Sequence, residues 1–160
     1  LLFNENISVH TLINIESTKK DEIFNEAKLK LRVLNGKISF DSSILISDKI
    51  GLLEISNSDL FLKDDKLTLA ANLSINIKNT DKLFSFLNTS KKTRKKIKNV
   101  KLNIIYDFLS NQIEFKNIKI DDNEVSDQFQ NIVGGLTDNN SNNLNKSRKL
   151  LNELINLYAG

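Results

Sequence analysis

The chain has 160 residues, enough for one domain with a real core, and its 39% apolar and 27% charged content excludes a disordered segment. No apolar run approaches the ~18 residues of a membrane-spanning helix, and the absence of cysteine removes both a disulfide framework and a Cys metal site. The net charge of +3 is local in origin: the stretch from Lys91 to Lys98 holds six of the 23 Lys and Arg, and the other 17 face 20 Asp and Glu, which argues against a surface built as a whole to meet nucleic acid.

The chain opens Leu1-Leu2-Phe3 and contains no Met, which reads as a piece of a longer protein, so a missing signal peptide says little about compartment. A Cys-free chain fits the cytoplasm and a Gram-negative periplasm alike. The bias toward Lys over Arg, with frequent Asn and Ile, reflects AT-rich coding more than chemistry.

Most of the chain alternates with period two, the mark of strands with one buried face. Residues 7–16, "ISVHTLINIE", predict a first strand, and "TKKDE" a polar break. "AKLKLRVLNGKISFD" predicts a hairpin. Leu29, Leu31 and Val33 alternate with Lys28, Lys30 and Arg32, Asn35-Gly36 suits a type I′ turn, and Ile38 and Phe40 continue on the return strand. Strands follow at "SSILIS", "LLEISNSDLFLK" and "KLTLAANLSINIK", the last two joined across Asp64-Asp65. Leu67, Leu69, Ala71, Leu73, Ile75 and Ile77 share one face, opposite Thr68, Ala70, Asn72, Ser74 and Asn76, as in an antiparallel sheet with one wet side.

"NTDKLFSFLN" changes period: Thr80 caps a short helix whose apolar side is Leu83, Phe84 and Leu87. After the basic run, "IKNVKLNIIYDFLSNQIEFKNIKID" predicts a second long hairpin turning at Ser110-Asn111. Val100, Leu102, Ile104, Tyr106 and Phe108 line one face. Ile113 and Phe115 are in phase on the return strand, whereas Ile118 and Ile120 are shifted by one, which places a β-bulge at Asn117. Helices are predicted at "NEVSDQFQNIVGGL", where Val125, Phe129, Ile132 and Val133 are spaced helically before Gly134-Gly135, and at "LNKSRKLLNELINLY", with Leu144, Leu151, Leu154 and Tyr158 on one stripe. The predicted class is α+β, mainly antiparallel β: a meander of long hairpins forming a curved sheet, with an insert helix near 80–88 and two C-terminal helices. Residues 1–122 form the sheet region and 123–160 a helical cap of the same domain.

No catalytic constellation is visible. His10 is the one histidine and has no second His or Cys to join it as a base or zinc ligand. Asp121, Asp122, Glu124 and Asp127 lack the alternation and central Gly of a calcium loop and read as acids opening a helix. Gly134-Gly135 follows a helix instead of opening one, so it is no phosphate loop, and no GxSxG elbow occurs. The reading is therefore no enzyme, with no cofactor, no metal and no catalytic residue. The basic run has three readings: a solvated connector, a contact with anionic lipid headgroups through Lys91, Lys92, Arg94, Lys95, Lys96 and Lys98, or a nucleic-acid contact. No aromatic lies between Phe86 and Tyr106, unlike nucleic-acid binders that interleave bases with aromatic rings, so no nucleic acid is expected.

From about Asn25 to Gly160 the chain resembles the C-terminal portion of bacterial AsmA-like proteins, of the type found in alphaproteobacteria with small, AT-rich genomes. The segments that carry the resemblance are "VLNGKISFDSSILISDKIGLLEISNSDLFL", "INIKNTDKLFSFLNTSKKTRKKIKN", "YDFLSNQIEFKNIKIDDNEVSD" and the closing "NKSRKLLNELINLYAG". These are patterns of alternation, Asn-Gly turns and small polar residues.

The resemblance implies a protein on the periplasmic side of the inner membrane of a Gram-negative bacterium, anchored by an N-terminal helix outside this segment. It also implies outer-membrane assembly or phospholipid transport between the membranes, along an apolar β-groove, with phospholipid and envelope proteins as partners. Groove or core candidates are Leu29, Leu31, Val33, Ile38, Phe40, Leu67, Leu69, Leu73, Ile75, Leu102, Ile104, Tyr106, Ile113 and Phe115. Alternation alone leaves two readings open, an acyl-chain groove or a sheet sealed by its own helices as a protein-interaction module, because both demand the same pattern.

Overall fold

The computed structural model describes residues 4–17, 24–89, 91, 94–110, 112–125 and 152. Among these, nine strands and one helix follow in the order β1 (Ser8–Glu16), β2 (Glu26–Leu34), β3 (Lys37–Ser39), β4 (Ser43–Ser47), β5 (Gly51–Lys63), β6 (Lys66–Ile77), α1 (Thr80–Leu87), β7 (Asn99–Asp107), β8 (Gln112–Ile120) and β9 (Asn123–Glu124). All nine strands belong to one antiparallel sheet in which each strand lies beside its successor, β3 and β4 sharing one lane between β2 and β5. The described residues are thus mainly antiparallel β, with α1 as their one complete helix. The two predicted C-terminal helices lie outside the described residues, apart from Asn123, Glu124, Val125 and Asn152.

Three tight turns follow one rule. A two-residue type I′ turn needs positive φ at both centres, and Asn35-Gly36 (φ 50° and 72°), Asp64-Asp65 (50° and 60°) and Asp121-Asp122 (51° and 65°) all have it. The third corrects the expectation for the acidic cluster. Asp121 and Asp122 do not open a helix; they turn β8 back into β9, so residues 123–124 are strand and not the start of a helical cap. Short side chains that bond their own backbone let Asp take this conformation. Asp121 Oδ1 also accepts the N–H groups of Lys98 (2.7 Å) and Asn99 (2.9 Å), tying the turn to the start of β7.

Two irregularities lie side by side. The lane of β3 and β4 is interrupted at 40–42, so Phe40 falls in the gap and not on the return strand as predicted. The adjacent β5 carries a bulge between Ser56 and Asp59, with Asn57 at φ 46°. Side chains replace the missing ladder bonds. Ser58 Oγ accepts from Phe40 N–H (2.6 Å) and donates to Asp41 Oδ1 (2.7 Å), which also accepts Ser58 N–H (2.6 Å). On the other side, fully buried Ser43 accepts Lys30 N–H through its hydroxyl (2.9 Å). A second bulge sits at Asn117 (φ 51°), where the pairing of β7 with β8 shifts between Lys101 and Asn103. The phase change in "IEFKNIKI" placed it there, and it returns Ile118 and Ile120 to the face of Ile113 and Phe115.

Helix α1 begins one residue later than its cap: Asn79, not Thr80, is the N-cap, accepting Lys82 N–H on its side chain (3.1 Å). Thr80 instead donates its hydroxyl to the Ile97 carbonyl (3.1 Å). The helix ends at Asn88 in the left-handed region, with Thr89 N–H returning to the Phe84 carbonyl at 2.9 Å. Gly51 opens β5 against β6, where a Cβ would run into the Asn76 carbonyl oxygen.

Candidate functional site

Cross-strand partners lie on the same face of a sheet, so the registers define one side completely. Val9, Ile13 and Ile15 of β1 stand beside Val33, Leu29 and Ala27 of β2. Val33 faces Ile38, which faces Leu60. Leu45, Leu53, Ile75 and Val100 form one row from β4 to β7, and Leu60, Leu69, Tyr106 and Ile113 another from β5 to β8. The result is one apolar face running through every lane from β1 to β8. Every groove candidate except Phe40 lies on it. Sequence reading missed its other members, Ile55 and Leu60 among them, although the odd-to-even shift between those two is the same signal that located the bulge at Asn117.

The two ends of this face differ. Where β6 ends and β7 begins, α1 lies across it. Phe84, Leu87, Ile97, Leu102, Ile118, Ile120 and Val125 form a buried cluster, with Leu73, Ile75, Val100, Ile104 and Phe115 packed against it. At the other end, around the β5–β6 and β7–β8 turns, Leu62 is 56% and Phe108 46% exposed. Phe108 meets Tyr106 edge to face, ring centres 4.7 Å apart.

The basic run belongs to the covered end. Its Ile97 is only 1% exposed and pins the segment into the cluster, a role hidden in the sequence by the surrounding charges. Arg94 is structural: its guanidinium donates twice to the Thr89 carbonyl (3.2 and 3.1 Å) and stands 5.8 Å from the Phe84 ring centre. Lys91, Lys95, Lys96 and Lys98 are exposed, and Lys92 lies outside the described residues. Lys95 and Lys96 line a cleft of about 400 Å³ with Lys78 and the first residues of α1, so Lys78 is a cation of this site that the run itself did not reveal.

On the polar face, Ser56, Asn72, Ser74, Asn103 and Asn117 line a cleft of about 780 Å³. Its charges are neutralised locally, Lys101 by Asp122 (2.6 Å) and Lys119 by Glu124 (3.0 Å). Asp122 is held below the ordinary carboxylate range, first by its hydrogen bond from Lys101 and then by that residue's charge. His10 lines a cleft of about 470 Å³ with Lys30, Arg32, Ser39, Asp41 and Ser42. The carboxylate there is engaged elsewhere, since Asp41 Oδ1 binds Ser58. No group of three or more metal-ligating side chains occurs among the described residues.

Comparison of the chain with protein-family models, with curated proteins and with solved structures finds no match.

Proposed function

We propose that this chain is a non-catalytic C-terminal module of an AsmA-like envelope protein, on the periplasmic side of the inner membrane, acting in outer-membrane assembly or phospholipid transport between membranes. Acyl chains lie against the apolar face. One observation carries this reading: the apolar face continues from β1 to β8, while its described helical cover is confined to one end. Each methylene leaving water for such a surface gains about 0.8 kcal/mol, so affinity accrues along an acyl chain without a charged or catalytic group.

The headgroup role of the basic run is narrower than its charge suggests. From Leu67 to Ile77 the strand spans roughly 34 Å, and Lys95, Lys96 and Lys98 lie at the Ile77 end, away from Leu62. They and Lys78 turn the covered end toward an anionic membrane surface, at about 1 kcal/mol per cation.

The buried cluster beneath α1 favours a second reading, a protein-interaction module whose sheet is sealed throughout. Native mass spectrometry of the chain purified from a bacterial periplasm, with lipid extraction in parallel, separates the two. Co-purifying phosphatidylethanolamine or phosphatidylglycerol, lost in Leu62→Asp with an unchanged circular dichroism spectrum, supports the groove. A stable lipid-free protein replaces it with the sealed module.

A further inference from the structure

The two lateral edges of the sheet are built in opposite ways. On one side the last described strand, β9, is two residues long, and β8, which no other described strand flanks on that side, carries a Glu114–Lys116 ion pair (3.1 Å) and the Asn117 bulge. Short edge strands, charges and bulges are the features by which sheets refuse a further strand. On the other side β1 has nine residues in unbroken register with β2, without Pro, Lys, Arg or a bulge, and no other described strand pairs with it. Val9, Ile13 and Ile15 are exposed on one face, and Leu12, at 61%, is exposed on the other among Ser8, His10, Asn14 and Glu16.

We propose that β1 docks antiparallel against β1 of a second copy of this chain, with the two-fold axis passing at Leu12. The backbone fixes which residues can pair. Lys30, opposite Leu12, turns both its N–H and its C=O toward the Ser43 hydroxyl and away from β1. The hydrogen-bonded pairs of β1 with β2 are therefore the odd-numbered residues, and Ser8, His10, Leu12, Asn14 and Glu16 point their backbone groups outward.

Pairing these five with their copies about Leu12 uses the whole strand and forms about ten hydrogen bonds. It also matches side chains: Leu12 meets Leu12, Val9 meets Ile15, Thr11 meets Ile13, and His10 meets Asn14. Glu16, the one carboxylate of β1, meets Ser8, so no like charges stand directly opposite, an arrangement that would destabilise the pair. Centring the axis on His10 or Asn14 would leave nearly half the strand without a partner. A two-fold axis normal to the sheet keeps both apolar faces on one side, so the face of one copy continues into the other. The pairing rests on the edge and is independent of whether that face holds lipid.

The 160-residue chain should sediment as a dimer at rising concentration, and Leu12→Lys, which sets two like charges at the axis, should return it to a monomer with unchanged circular dichroism. The absence of cysteine allows a sharper test. In this register two Cα atoms at position 12 lie about 5.5 Å apart, within disulfide reach, whereas those at position 15 are roughly 20 Å apart. Mild oxidation should therefore link Leu12→Cys into a covalent dimer and leave Ile15→Cys unlinked. A wild-type chain that stays monomeric at every concentration, or equal linking of the two variants, overturns the proposal.

Discussion

Among the described residues, α1 covers one end of the apolar face and nothing covers the end around Leu62, although both ends carry the same kind of strand. Leu73, Ile75 and Ile77 alternate as Leu67 and Leu69 do, yet the first group packs beneath α1 while the second leads toward exposed Leu62 and Phe108. The strands do not decide this difference. A helix eight residues long, held by Asn79 at its start and Asn88 at its end, decides it together with Ile97 from the segment that follows. Alternation states only that a face is apolar; its fate depends on what the chain brings back across it.

That contrast can be broken at several strengths. Phe84→Ala empties the centre of the covered end and should cost about 3–5 kcal/mol in urea unfolding. Ser58→Ala leaves Phe40 N–H without its acceptor at the strand break and should cost about 1–3 kcal/mol. Removing the N-cap in Asn79→Ala should cost about 1 kcal/mol and fray α1, measured as earlier loss of the Phe84 methylene and ring NMR shifts on heating. At the uncovered end, Leu62→Ser should stay within about 0.5 kcal/mol of the parent chain. Equal costs for Phe84→Ala and Leu62→Ser would abolish the distinction between the ends.

Acid should act on the far turn. Asp107 lies below the ordinary carboxylate range, first through the hydrogen bond from the Ser110 hydroxyl and then through the Ser110 and Leu109 N–H groups. A carboxylate depressed on folding stabilises the fold above its unfolded value, and that contribution is lost as pH falls through the folded value. The amide proton shifts of Leu109 and Ser110 should thus be flat near neutrality and titrate only below the ordinary carboxylate range. A midpoint in or above that range contradicts the assignment.

Much of the sheet was legible in the sequence because hairpins write their signals locally. Asn35-Gly36 and Asp64-Asp65 mark their turns by residue type, and the Phe115-to-Ile118 phase shift marks a bulge. The Ile55-to-Leu60 shift carried the same information and went unread, so the bulge in β5 and the strand break beside it were missed. Asp121-Asp122 misled because acidic residues suit both a helix start and a type I′ turn, and only pairing with β9 distinguishes them. Ile97 was illegible for another reason: nothing local says that a lone apolar residue in a charge run will be carried under a helix. The cover of the face is non-local in the same way, which is why the site's boundary could not be read from spacing.

The most direct test of the central claim is photo-crosslinking in living cells, with a benzophenone amino acid placed at Leu62, at Leu69 or at Ser74. Leu62 and Leu69 share the apolar face, and Ser74 lies on the polar face of β6. Phospholipid adducts are expected at Leu62 and Leu69 and none at Ser74. Protein adducts alone at Leu62 and Leu69, or phospholipid adducts equally at Ser74, would contradict it.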